Sequence, residues 1–168
     1  MDRQPDEAAR SLDPGDQPAA PPRHGSALSQ ARTERAGVRA AIARVESALA
    51  SPTTGRDRAW RGELADQLAT LEGAFARHVA ATEGPDGLLA EIVAGSPRLA
   101  RRVEEIATDH GAIAEELGAA RTALLDAPPN LEDVRDRVVA VLIHLVRHRQ
   151  RGADLVYEAF QVDIEGGG

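Results

Sequence analysis

The sequence predicts an all-α protein, an up-down-up-down four-helix bundle, and three observations predict it. Apolar residues recur in alternating steps of three and four through four long segments, the repeat of one buried helix face. The composition is 42% hydrophobic but only 2% aromatic, so the core must come from Ala, Leu, Val and Ile, which suits close-packed helices better than a β-sandwich. Proline and glycine separate the segments, and connections that are mostly short make successive helices antiparallel neighbours. No segment has convincing strand alternation. At 168 residues the chain is long enough for one domain with a single sizeable core.

Residues 1–26 hold five of the ten prolines, with Gly, Asp and Gln between them. Such a stretch buries too little apolar surface to offset its ordering entropy and is expected to be disordered, His24 included. The bundle is expected over 27–162. The first helix runs from about Ser26 to Ala50 on the stripe Leu28, Ala31, Arg35, Val38, Ile42, Val45, Leu49, and Ser51-Pro52 with Gly55 ends it. The second runs from about Arg56 to Thr82 on Leu64, Leu68, Leu71, Phe75, His78, Thr82. Trp60, near its start, is expected to pack at the bundle end.

Glu83-Gly84-Pro85-Asp86-Gly87 interrupts that helix. A short apolar piece, Leu88 to Val93, follows, long enough to form a helical turn of its own. The third helix opens at Ser96-Pro97, an N-cap residue and a first-turn proline. Its stripe is Leu99, Val103, Ile106, His110, Ile113, Leu117, Ala120, Leu124. Pro128-Pro129 stops it, and Asn130 caps the fourth helix, whose first turn carries Glu132 and Asp133 to suit the helix dipole. That helix carries Val134, Val138, Val141, Leu145, His148, Gly152, Leu155, Ala159. Residues 163–168 are expected to be a flexible tail.

Each stripe is broken by one conspicuous polar residue: Arg35, His78, His110, His148. Their depths agree. His110 lies 18 residues before Pro128 and His148 lies 18 after Asn130, which makes them level in an antiparallel pair. Arg35 lies 18 before Thr53 and His78 lies 22 after Arg56, level within about one turn. Three imidazoles and a guanidinium are thus expected in one layer. A buried imidazole must find a hydrogen bond or a metal. His144 precedes His148 by one turn, a spacing at which two histidines can chelate one ion.

Carboxylates are sparser. One turn after each histidine stand Thr82, Ala114 and Gly152, none of them acidic. Glu83 can reach inward because Gly84-Pro85 releases the helix beside it. Asp154 is the nearest acid after His148, and Glu115 reads as a surface residue.

The absence of cysteine excludes a disulfide framework and any thiolate-held zinc or iron–sulfur cluster. The formal charge of −7, without a basic stripe interleaved with aromatics, argues against nucleic-acid binding. Arg147, Arg149 and Arg151 read as a solvated face or as partners of acidic residues on a neighbouring helix. No apolar run approaches a membrane span, and the polar N-terminus lacks a signal sequence's apolar centre, so a cytoplasmic protein is expected.

With His78 and Glu83 in HVAATE, His110 in DHGAIAEEL and His148 in LVRHRQRGADLVYEAF, residues 27–162 resemble the hemerythrin-like family, the HHE cation-binding four-helix bundles. The resemblance implies a non-haem iron site, mono- or dinuclear, and a role in O₂ or NO binding or in iron or redox sensing. Arg35 stands where the family places a first-helix histidine, and Gly152 where it places a fourth-helix carboxylate. His78, His110, His148 and Glu83 remain the candidate metal ligands, with His144, Asp154 and Arg35 as additional or supporting groups. Three histidines and a carboxylate suit Fe, Zn or Mn. The competing expectation is a metal-free interaction module, its protein partner unspecified, in which Arg35 pairs with Glu83 in place of an ion. An oxidative enzyme would need open coordination positions and substrate access, and no catalytic constellation is visible.

Overall fold

The computed structural model describes residues 25–51, 55–125 and 130–165, the last five by backbone alone. Among these it is all helical: α1 (Ser26–Ala50), α2 (Asp57–Glu83), the short α3 (Leu88–Gly95), a 3₁₀ turn (Pro97–Leu99), α4 (Ala100–Ala123) and α5 (Leu131–Glu165). The expected disorder of residues 1–24 and the stops at Pro52 and Pro128-Pro129 lie outside the described residues. Helix α5 runs on through Glu165, so residues 163–165 of the expected tail are helical, and 166–168 are outside the description.

Successive long helices run antiparallel. Trp60 at the start of α2 donates its Nε1–H to the Ala48 carbonyl at the end of α1, 2.9 Å away, while Glu34 and Arg77 meet 3.6 Å apart at the opposite ends. Arg121 of α4 pairs with Glu72 of α2 at 2.5 Å. Glu158 of α5 takes both Arg98 and Arg102, and Arg151 takes Asp109, which sets α5 antiparallel to α4. The order around the bundle is α1, α2, α4, α5. Helices α1 and α5, which would close the ring, stand farther apart than the other neighbours.

Local chemistry explains some of the helix ends. Asn130 Oδ1 accepts from the backbone N–H groups of Glu132 and Asp133, at 3.1 and 3.3 Å, the capping expected of it. Ser96 does not cap: its side chain makes no cap hydrogen bond, and Pro97 starts a 3₁₀ turn before α4 begins at Ala100. Between α2 and α3 the chain folds back tightly at Gly87. A Cβ there would lie 2.5 Å from the Thr82 carbonyl oxygen, so only glycine fits.

The stripes become two apolar clusters. One lies toward the Trp60 end and includes Val45, Leu64, Leu68, Leu71, Leu117, Val134 and Val138. The other gathers Ala31, Leu88, Leu89, Ile92, Leu99, Ile106 and Leu155. Helix α3 touches all four long helices and plugs that second end. The buried polar layer lies between the two.

Candidate metal centre

Three long helices place one histidine each in this layer. His78 of α2, His110 of α4 and His148 of α5 keep only 7%, 2% and 6% of their surface exposed. One ring nitrogen from each lies within 4.8 Å of the others. Nε2 of His110 and Nε2 of His148 are 3.1 Å apart. Two imidazole nitrogens each ~2.1 Å from a shared ion lie roughly 3.0–3.4 Å apart for right-angled to tetrahedral coordination, so this pair already has the spacing of two ligands. Phe75, one turn before His78, packs its ring against all three imidazoles at centroid distances of 5.8–6.2 Å and walls the layer on the apolar side.

The outer nitrogens face carboxylates. Nδ1 of His110 lies 2.5 Å from Glu83 Oε1, and Nδ1 of His148 lies 3.4 Å from Asp109 Oδ2. A carboxylate accepts only, so each Nδ1 is the donor, and in the neutral ring Nε2 keeps its lone pair. Two lone pairs aimed at each other across 3.1 Å repel unless a proton or a cation lies between them. A carboxylate behind the imidazole is also what metal-ligating histidines usually carry, because it fixes the tautomer and makes the inner nitrogen a better donor to the ion.

Burial and neighbouring charge disfavour protonation of His78 and His148. His78 is pushed down to about 3, first by burial and then by the charges of His110, His148 and Arg35. His148 is pushed down to about 4, again first by burial and then by His110, with Asp109 opposing. Neutral imidazole is the ligating form. Nδ1 of His78 is buried without a hydrogen-bond partner among the described residues, a cost that a bound ligand would remove.

Each residue singled out in the sequence has a place. His78, His110 and His148 converge as expected, and the three could hold a metal ion. Glu83 reaches the layer from behind, on the outer nitrogen of His110, so it orients that ring rather than joining the cluster. Arg35 is half-buried and lines the same cavity as the three histidines, but its Nε–H donates to the Ala31 carbonyl at 3.2 Å. The expected Arg35–Glu83 pair does not form, because Glu83 is committed to His110. His144 points to the α4 side, its Nδ1 3.0 Å from Glu116 and its Nε2 3.7 Å from Asp109, and does not chelate with His148. Asp154 is exposed and accepts from Gln150 Nε2 at 2.9 Å, away from the layer.

Asp109 is the residue that sequence reasoning missed. It touches His148, His144 and Arg151, and so links α4 to α5 directly beside the histidines. Its one signal was adjacency: a carboxylate next to a seam histidine is turned by roughly 100° on the helix, toward a neighbouring helix. Arg151 finds its expected acidic partner here. Tyr157 is exposed and lies outside the layer.

Comparison with protein-family models, with curated proteins and with solved structures returned no match. The chemistry of the site therefore rests on its own geometry. No helix among the described residues is long and apolar enough to cross a membrane.

Proposed function

We propose that this bundle binds a transition-metal ion through His78, His110 and His148 and uses it to bind or sense a small ligand. One observation carries the reading: inner nitrogens grouped within 4.8 Å, with Glu83 and Asp109 behind two of the three rings. Imidazole ligands suit Fe, Zn, Cu or Ni, and a set of three leaves coordination positions open. The likeness of the helix-borne histidines to those of hemerythrin-like bundles favours non-haem iron, with O₂, NO or the iron supply itself as the thing sensed. One cluster of three favours a single ion over a dinuclear centre. A bound ion would supply a Lewis-acidic centre; the chain's own residues orient the rings, burial favours the neutral form of His78 and His148, and Phe75 packs against all three.

A second reading, a metal-free interaction module, is favoured by Arg35, whose charge lies close enough to help depress His78 and so opposes a cation. Adding Fe(II), Zn(II) or Mn(II) to chelator-treated protein separates the two. An ion present at ~100 times its Kd stabilises the fold by about 2.7 kcal/mol, a clear rise in Tm. The metal reading predicts that rise for at least one ion, and a change in the absorption spectrum of the iron-loaded protein on adding NO or O₂. No rise with any ion would leave the metal-free module.

A further inference from the structure

The histidine layer opens on one side into a cavity of about 320 Å³. It lies where α1 and α5 stand apart. Its interior is apolar, with Leu88, Leu89 and Ile92 of α3 forming the floor and Ile106 and Leu155 adding to the walls. Its mouth carries exposed Arg39 and Glu46 of α1 and exposed Arg149 of α5, with half-buried Arg35 farther in. Three guanidiniums thus face one carboxylate at this opening.

Arg35 is the unusual group. It sits in an apolar stripe at a depth that costs a charge its hydration, and burial together with Arg32 lowers its pKa. Among the described residues no carboxylate pairs with it; its only hydrogen bond is to a backbone carbonyl. A buried cation is tolerated when an anion compensates it, and a guanidinium matches the two oxygens of a carboxylate. Gly152 supplies the space. It lines the cavity, and a Cβ built on it meets nothing within 4 Å. The opening therefore exists because α5 presents no side chain there.

We infer that this cavity binds a medium-chain aliphatic monocarboxylate, its carboxylate held by Arg35 and its chain buried against α3. At roughly 30 Å³ per small non-hydrogen unit, the share of a water molecule in the liquid, the volume takes ~10 such units, the size of octanoate. This goes beyond the metal reading and does not depend on it, since head group and chain are recognised by Arg35 and apolar side chains.

Calorimetric titration of the full chain with butyrate, hexanoate, octanoate and octanol tests it. Each added methylene should tighten carboxylate binding about fourfold. Arg35→Gln should weaken octanoate at least tenfold and leave octanol unchanged. Gly152→Leu, which fills the opening without touching the backbone, should abolish binding of both while the Tm holds or rises. The inference is overturned if octanoate does not bind at millimolar concentration, if affinity ignores chain length, or if Arg35→Gln binds octanoate as the parent does. Repeating the titration on chelator-treated and iron-loaded protein separates this from the metal centre. Octanoate binding without any metal uptake would sink the metal reading alone. Octanoate binding only to the loaded protein would overturn Arg35 as the head-group site.

Discussion

The two ends of the bundle are packed to different standards. Toward Trp60, the side chains of Leu64, Leu68, Leu71, Val134 and Val138 are fully buried in one continuous apolar cluster, and Arg135 covers the Trp60 ring at 4.8 Å. Toward α3, Leu88, Ile92, Leu99 and Leu155 are as deeply buried, yet a cavity of about 320 Å³ lies beside them. The first end holds the helices in register. The second end leaves space, and the polar layer sits at the boundary, supported by packing on one face and accessible on the other. A rigid scaffold under a site fixes its ligands, and incomplete packing above it lets something in.

The largest expected effect probes the packed end. Leu71→Ala removes a fully buried side chain with no room to relax, and should cost about 3–5 kcal/mol, while Leu89→Ala beside the cavity should cost about 2 kcal/mol, both within the usual range for core truncations. Urea denaturation of the two variants measures this, and equal losses would break the contrast between the ends. The next effect sharpens the boundary. Glu83→Gln and Asp109→Asn should each weaken metal binding about 10–100-fold, as loss of a carboxylate behind a ligating imidazole does, whereas Asp154→Asn should leave it unchanged. Competition with a chromophoric chelator gives these ratios, and an equal effect from Asp154→Asn would mean that long-range charge matters rather than ring positioning. The smallest effect belongs to the open side. Gly152→Ala should stabilise the protein by about 1 kcal/mol, since the added methyl meets nothing. Destabilisation would show that α1 and α5 approach each other more closely than described.

Much of this was readable in the chain because the period of a helix converts spacing directly into depth. Alternating threes and fours located all four long helices, and counting from the connections put His78, His110 and His148 at one level before any side chain was placed. The sequence named Glu83 as a ligand rather than as a partner of the His110 ring, and it passed over Asp109. Both lie off the apolar stripes, and their contacts depend on the rotation of one helix against another, which a single helix's repeat does not encode. The metal-free alternative paired Arg35 with Glu83 in place of an ion, although Glu83 sits behind His110 instead. The Leu88–Val93 stretch was visible as an apolar piece, but its role as a plug touching every long helix depends on the fold-back at Gly87, where a carbonyl crowds the Cβ position.

The proposed function requires the three-histidine layer to hold a metal ion. Elemental analysis of the untagged protein, purified from iron-supplemented medium beside His110→Ala, tests it most directly. About one ion per chain, absent from a His110→Ala variant that still unfolds cooperatively, is the predicted result. A parent protein without iron, zinc or manganese, and without a Tm shift when these ions are added, would contradict it and leave the histidines as a polar layer in a metal-free bundle.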